Sequence, residues 1–553
     1  MPSSEEKPIT KPRVDELIER YERELSQRKN FESYWQYLHD YFYIEAENVN
    51  KQYLAGQELD PTYLWDSTTL ESADVLASGF MNYLTPPSSK WFRLRHKNPK
   101  LTENKAVGDF LEDVTDEVTH ALNRSNFYGH MFPSYKSSGV YGTSVLFEEE
   151  DIQDDILFHN MPVKQVVVIE DAKGRIVAYF FEFEYTAEQA ESRWGREALS
   201  SELQEELRKG NSQRKFKFLL YVAKRHVREI QKQDKKNLPI EASWIDHKAR
   251  TIVEEGGYNE FPAMCHRFDK RPGIAWGYSP AMKALPFARL LNQIAKTNLR
   301  SMMKHTDPAL AVPHNAFIMP LNLNPRAINY YNPTKLSQGS QIVPLGNTGD
   351  PEAGLATLQF YSNEVKSLMF NDAFMMFSNI TKDMNNPEIA ERINEKMTLL
   401  GPAVGRYISE VINPVIRRTI DILYRRGKLP EMPQELFEDA RIEIESISIL
   451  AQAQKRSELN ALVGSLAVIS QIAQYAPEVM DKVDADRVVD ETWTITGAPV
   501  QVLRDDSEIQ KIREGRAQQM MKQQEMAAAM GGAQVAKDAG SAVAGFSKAK
   551  EKK

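Results

Sequence analysis

Along the first third of the chain, apolar residues recur with a helical period. Leu17, Tyr21 and Leu25 stand four apart, and Phe31, Tyr34, Trp35, Leu38 and Phe42 continue an apolar face. A second amphipathic run carries Leu70, Ala73, Leu76, Ala77, Phe80 and Leu84. Asp66 or Ser67 can cap its start, and Thr85-Pro86-Pro87-Ser88-Ser89 ends it. Phe110, Leu111, Val114, Val118 and Leu122 mark a third helix. The period changes near Gly142. Val145-Leu146-Phe147 and Val166-Val167-Val168-Ile169 are short β-prone runs. Asp171-Ala172-Lys173-Gly174 predicts a turn, with Ile176 to Tyr185 running back as a strand. Phe216 to Arg228 and Trp244 to Val253 predict further antiparallel strands, so a mixed α+β block extends to about Phe268.

The helical period returns at Ser279. Met282, Leu285, Leu290, Ile294 and Leu299 share a face, and His305-Thr306-Asp307-Pro308 stops the helix. A Pro/Asn/Gly-rich segment from Ala309 to about Gly354 holds only short strand-like pieces, Ala316 to Met319 and Gln341 to Val343. A second helix is predicted from Ala356 to Phe377. Met302, Met303, Met369, Met375 and Met376 read as packing residues of this helix pair. The polar stretch Ser378 to Asn386 predicts a loop before a long helix. Asn386 suits its N-cap, Pro387 its first position, and Glu388 the positive end of its dipole. Gly401-Pro402 and Asn413-Pro414 should kink it, and Arg425-Arg426-Gly427 should end it. Helices are expected again from Ser446 to Tyr475. The tail after Asp505 has no leucine and predicts a helix without a core of its own, or disorder. No repeat of solenoid period is present.

Composition narrows the class. With 553 residues, 42% hydrophobic and 26% charged, the chain can fold as several domains without disulfides. Its single cysteine, Cys265, excludes an intrachain disulfide and a multi-cysteine metal site, and fits folding in a reducing compartment. Met1 to Arg13 has no apolar core, and no apolar run of about 20 residues exists, so neither a signal peptide nor a membrane span is expected. A formal charge of −8 argues against a protein that grips duplex DNA over a broad surface. It is compatible with a surface past which DNA slides, because a strongly basic wall would hold the duplex by counterion release.

Catalytic signatures are missing. No Gly-Lys-Ser/Thr phosphate loop, no His-Glu-x-x-His pair and no Gly-x-Ser-x-Gly elbow occurs, so no catalytic residue and no cofactor are assigned. The closest histidines, His305 with His314 and His120 with His130, do not have metal-ligand spacing. The acidic run Glu148-Glu149-Glu150-Asp151 with Asp154-Asp155 has the chemistry for a divalent cation, but its favoured reading is a solvated loop between strands. Cys265 reads as a small buried residue. Arg289, Lys296, Arg300 and Lys304 are seven, four and four apart and share one helix face. That stripe suits phosphate contact or a contact to a neighbouring subunit, and equally a solvated face.

Several segments, in order and spacing, carry a resemblance. They are Asp66-Ser67; Leu84-Thr85-Pro86-Pro87 with Trp91-Phe92; Tyr141-Gly142-Thr143; and His266-Arg267-Phe268. Trp276-Gly277-Tyr278-Ser279-Pro280-Ala281 and Asn292 follow, then Asp307-Pro308, Val312-Pro313, Leu400-Gly401-Pro402 and Gly427-Lys428-Leu429-Pro430. Over about residues 25–435 the chain resembles the podovirus-type portal, or bacteriophage head-to-tail connector, family. It departs from the family after Asn379. Relatives often have Met-Thr-Ala-Thr-Glu-Val there, while this chain reads Ile380-Thr381-Lys382-Asp383-Met384-Asn385-Asn386.

The resemblance implies a predominantly helical α+β portal fold, assembled as a ring of usually twelve copies. Residues 1–278 would be the wing, 279–306 and 356–377 two stem helices, and 307–355 the clip. Residues 378–386 would be a channel loop, with Thr381, Lys382, Asp383 and Asn385 as candidates to face DNA. Residues 387–432 would be a long kinked wing helix, 433–504 a crown, and 505–553 a barrel or disordered tail. Asn324, Arg326 and Lys335 are clip candidates for motor or adaptor contact. Implied partners are double-stranded DNA, the terminase large subunit, tail adaptor or nozzle proteins, the major capsid protein and internal core proteins. No membrane is implied. The expected place is the portal vertex of the virion, after assembly in the host cytoplasm. The rival expectations are a helical scaffold or adaptor without a channel, and an enzyme with an unrecognised site in the α+β block.

Overall fold

A computed structural model of the chain describes residues 11–45, 63–98, 104–210, 214–229, 234–306, 351–380, 400–437 and 441–447. It also describes 462–496 apart from 474, 509–522, and a few single positions and two-residue strands. The chain divides into two units. One comprises residues 1–92, 115–429 and 446–449; the other comprises 93–114, 430–445 and 450–553.

The predicted amphipathic runs form helices. They are α1 (Lys11–Phe42), α2 (Thr68–Leu84), α3 (Lys105–Arg124) and α4 (Phe127–Tyr141). The Asp66 carboxylate accepts the Thr68 amide at 2.9 Å at the start of α2. A strand, β1 (Phe92–His96), precedes α3. Gly142 ends α4 at φ +80, a conformation that a side chain disfavours. The chain then enters β2 (Thr143–Asp151), β3 (Asp155–Met161), β4 (Val166–Glu170) and β5 (Ile176–Thr186). Two short helices follow, α5 (Ala187–Trp194) and α6 (Ser201–Arg208); Thr186 and Gln189 form a reciprocal capping box on α5. Next come β6 (Lys215–Lys224), β7 (Ile240–Asp246), β8 (Thr251–Tyr258) and β9 (Ala263–Arg267). An antiparallel sheet of order β4-β5-β6-β7-β8 and a three-stranded sheet β3-β2-β9 result.

The core explains the arrangement. Val14, Leu17, Ile18 and Tyr21 of α1 are buried against Val167, Ile169, Ala178, Phe180, Leu219, Tyr221, Ala223 and Ile245 of the five-stranded sheet. Each such side chain contributes roughly 1.5–3 kcal/mol by leaving water. The apolar face of α1 therefore selects one face of that sheet. Farther along α1, Trp35 packs edge-on to Trp276 with ring centroids 4.8 Å apart.

Short strands β10 (Asp269–Lys270) and β11 (Gly277–Tyr278) lead into α7 (Pro280–Thr306). Strands β12 (Leu310–Ala311) and β13 (Val343–Pro344) pair antiparallel, and α8 (Pro351–Leu368) and α9 (Asn371–Ile380) follow. Helical residues 400–407 continue through a π-turn, Ile408–Ile412, into α10 (Asn413–Arg425). In the other unit, β1 and β14 (Ile442–Ser446) form a two-stranded sheet, and helical stretches cover 462–473, Ala485–Thr496 and 509–522.

Several expectations need correction. The strand expected from Trp244 to Val253 is two strands with a turn between them. The Asp246 carboxylate accepts the amides of Lys248 and Ala249, both at 3.0 Å, and Arg250 adopts φ +52, so the chain reverses there. The helix expected at 356–377 begins at Pro351 and breaks at Met369-Phe370, where Phe370 has φ +60 and Met369 is fully buried. The loop expected from Ser378 begins later, because α9 runs to Ile380. The segment expected as the crown also holds a strand that the pattern reading did not name, β14, whose Ile442-Glu443-Ile444-Glu445 alternates with a strand period. The kink expected at Asn413-Pro414 takes the form of the π-turn just before it. A proline lacks the amide of the regular ladder and clashes with the carbonyl four residues back. Of the methionines read as packing residues, Met369 is buried, but Met302, Met303 and Met375 are exposed in the single chain. Only the backbone of Met376 is described.

Candidate functional site

The helix pair α7–α8 holds the basic stripe. Ser279 caps α7: its hydroxyl donates to the Val140 carbonyl at 2.6 Å and accepts the Met282 amide at 3.0 Å. Ala281, Ala284, Leu285, Ala288 and Leu291 bury the first half of α7. Asn292 fixes the preceding chain, donating to the Tyr63 carbonyl at 2.9 Å and accepting the Trp65 amide at 2.7 Å. The helix also leans on α8, where Phe287 meets Tyr361 at 6.1 Å and a side chain at Gly354 would collide with Asn298. From Leu299 to Thr306 every residue but Ser301 is exposed.

The four stripe residues divide into two kinds. The Arg289 guanidinium lies 4.1 Å from the Tyr37 ring centre and the Lys296 ammonium 5.5 Å from that of Trp65. Arg300 and Lys304 are exposed and form no ion pair among the described residues. Thr381, Lys382, Asp383 and Asn385 lie outside the described residues, as do Asn324, Arg326 and Lys335.

Two glycine motifs singled out by sequence meet in space. Thr143 Oγ1 accepts the Gly277 amide at 2.9 Å, and the Gly142 carbonyl accepts the Phe268 amide at 2.9 Å. A Cβ at either Gly142 or Gly277 would collide with the backbone of the other. This contact sets the direction in which α7 leaves the sheets.

The acidic run is not a solvated loop. Glu148 to Asp151 belong to strand β2, and Glu148 is fully buried. The Thr419 hydroxyl of α10 donates to Glu148 Oε1 at 3.0 Å. Arg418, also buried, donates to the backbone carbonyls of Glu148 at 3.3 Å and Glu260 at 3.1 Å. Burial outweighs the attraction of Arg418 and pushes the Glu148 carboxyl up to about 8. Asp155, 1% exposed, accepts from Arg124, from Arg426 at 2.8 Å and from Lys428 at 2.7 Å. Glu410, in the π-turn, accepts the Arg267 amide at 3.0 Å and its guanidinium at 2.7 Å. These networks fix the long helix to β2, β3 and β9. The pattern reading missed them because each joins residues far apart in sequence. The divalent-cation alternative gains no support, since no group of three or more metal-ligating side chains occurs among the described residues.

The features closest to catalytic chemistry are sealed. Ser138 Oγ lies 2.6 Å from His266 Nδ1, the geometry of a nucleophile and its base. His266 is fully buried, and burial depresses its pKa to about 3, so it is a poor proton acceptor. Cys265 is also buried, with its thiol pKa pushed up by desolvation. A hollow lined by Tyr43, Ser137, Tyr141, Asn160 and Lys164 offers no nucleophile paired with a base.

The sequence pattern of the family described as bacteriophage head to tail connecting protein matches residues 14–503. The chain belongs to this family. It is 28% identical over 527 residues to the portal protein of Salmonella phage epsilon15, covering 94% of each chain. The probable portal protein of Bordetella phage BPP-1 is 27% identical over 529 residues, covering 95% of each. A solved chain from the virion of a native gene transfer agent particle matches loosely, with a TM-score of 0.33 and 14% identity over 72% of this chain and 86% of that one. Connector proteins of this family are structural parts of the phage particle and not enzymes. The non-enzyme expectation therefore rests on membership of the family.

Proposed function

We propose that this connector protein is the portal subunit of a ring, expected to hold twelve copies, through which double-stranded DNA enters and leaves the capsid. The family match across residues 14–503 carries the reading, because it spans the whole helix–module–helix segment. In this reading α7 and α8 are stem helices, residues 307–350 the clip, and residues 381–386 the channel loop that Lys382 brings to DNA. The sheets with α1 to α6 and α10 are the wing, and residues after 433 form the crown and tail. Arg300 and Lys304, exposed and without ion partners, are candidates for transient phosphate or inter-subunit contacts. Exposed Leu299, Met302 and Met303 on α7, with Leu355 and Phe360 on α8, support packing against neighbouring copies. Terminase would dock on the clip during packaging and tail adaptors afterwards, with the major capsid protein around the wing. The energy for translocation would come from a separate ATPase.

Negative-stain imaging of the purified protein tests the reading. Annular particles with a central hole wide enough for duplex DNA are expected. Compact particles without a hole, or substantial ATP hydrolysis by the purified chain, would overturn it.

A further inference from the structure

Among the described residues, the two most exposed large apolar side chains of the first unit stand on different loops of opposite charge. Ile152, 93% exposed, lies between β2 and β3, and Val227, 88% exposed, lies between β6 and β7. Both loops are held in shape. Asp151 Oδ2 accepts the amides of Gln153 at 2.7 Å and Asp154 at 2.8 Å, so Ile152 sits at the front of a fixed turn. At the root of the other loop, the half-buried Arg225 donates to the carbonyls of Leu238 at 3.1 Å and Gly256 at 2.9 Å, while the Glu229 amide reaches Asn237 Oδ1 at 3.3 Å.

The surroundings of the two residues are complementary. Ile152 is flanked by Asp151 and Asp154, and Asp154 forms no ion pair among the described residues. The cations behind this tip are engaged there, Arg425 with Glu150 and Arg124, Arg426 and Lys428 with Asp155. Val227 is flanked by His226 and Arg228, with Lys224, Lys235 and Lys236 on the same loop and strand ends. None of these four lysine and arginine side chains forms an ion pair among the described residues, while Lys232 and Glu229 neutralise each other at 2.7 Å and Asp234, the loop's other carboxylate, accepts from Asn237, so the loop keeps a net positive charge.

We infer that the Ile152 tip of one copy docks against the Val227 loop of the next copy around the assembly. A closed ring needs a heterologous contact, one patch meeting a different patch. Two acidic tips repel each other, as do two basic loops, so these surfaces disfavour the self-pairing that would stop assembly at a dimer. The inference rests on the ring reading and adds to it the residues of one inter-subunit contact.

Cysteine pairing tests it in the full chain. Cys265 is buried, so Ile152→Cys and Val227→Cys introduce the only accessible thiols among the described residues. With a short bismaleimide, the double variant should give a ladder of covalent multimers beyond the dimer on a denaturing gel. Each single variant should stay monomeric, and the two singles co-expressed should give dimers and nothing longer. Lys235→Glu with Lys236→Glu should lower ring yield several-fold, and adding Asp154→Lys should restore part of it. Rings seen by negative stain without a ladder from the double variant would overturn the contact and leave the ring reading standing. A cross-linked dimer from either single variant alone would overturn the heterologous arrangement. Absence of rings from the unsubstituted chain would sink both readings.

Discussion

The junction of α10 with the sheets and the outer half of α7–α8 are built on opposite plans. At the junction, Glu148 and Arg418 are fully buried, Glu148 accepting from the Thr419 hydroxyl and Arg418 donating to the Glu148 and Glu260 carbonyls. On the outer helix pair, Met303 is 60% exposed and Phe360 58%, beside cations that touch no carboxylate among the described residues. A buried charge is costly unless paired, so the junction tolerates little change. An exposed methionine is adaptable and costs the single chain little. One region is complete within a single chain, while the other has surface to offer.

The largest effect that would sharpen this comparison is expected from Arg418→Ala. It removes the donors to the buried Glu148 carbonyl and the half-buried Glu260 carbonyl and leaves Glu148 without its nearest cation. Losing these hydrogen bonds and leaving a cavity where a fully buried side chain stood costs about 3–5 kcal/mol. Chemical unfolding should show a loss of that size, and a loss under about 1 kcal/mol would mean that the junction is not the rigid region described.

Glu148 gives the junction a pH signature of known sign. Its carboxyl is raised from 4.5 to about 8 in the folded chain by burial, reinforced by the nearby carboxyls of Glu260 and Glu150 and opposed by Arg418 and Thr419. The folded chain therefore holds a proton that the unfolded chain releases. That contribution to stability is fully present below the unfolded value and fades as pH rises toward the folded one. Its steepest slope is about 1.4 kcal/mol per pH unit. Glu148→Gln should flatten the fall in unfolding free energy between pH 6 and 8 by roughly 2 kcal/mol. An unchanged pH profile would show that Glu148 titrates as an ordinary carboxyl.

Asp155→Asn keeps a residue type that tolerates φ +69 and removes only the charge. The three cations it holds are 56%, 24% and 45% exposed, so water compensates part of the loss. A destabilisation of about 1–2 kcal/mol is expected, smaller than for Arg418→Ala. Faster amide exchange at Arg425 to Lys428 should accompany it.

Much of the fold was legible because it depends on short-range pattern. The period of Leu70 to Leu84, the turn at Gly174 and the return of the helical period at Ser279 each need only neighbours in sequence. The junction was not legible. Glu148-Glu149-Glu150-Asp151 looks like any solvated acidic run until Arg418, 270 residues on, is brought to it. The break at Phe370 was equally hidden, since it rests on Met369 being buried and not on a glycine or proline. For the candidate site, sequence located Arg289, Lys296, Arg300 and Lys304 on one face, but not the rings of Tyr37 and Trp65 that occupy two of them.

The smallest effect on the single chain is expected on the outer helix pair, and it is the one that most directly tests the contrast. Leu299 and Met303 are 39% and 60% exposed, so replacing both with serine removes little buried apolar area. Surface changes of this kind stay within about 0.5 kcal/mol of the parent, and both residues lie in a helix that serine tolerates at a small propensity cost. Unfolding of the dissociated chain should therefore be nearly unchanged. Assembly should not be: if these side chains face a neighbouring copy, ring yield by negative stain should fall while the circular dichroism spectrum stays the same. A double substitution that unfolded the chain as severely as Arg418→Ala would show that the outer helix pair is already packed within one copy, and the contrast between the two regions would collapse.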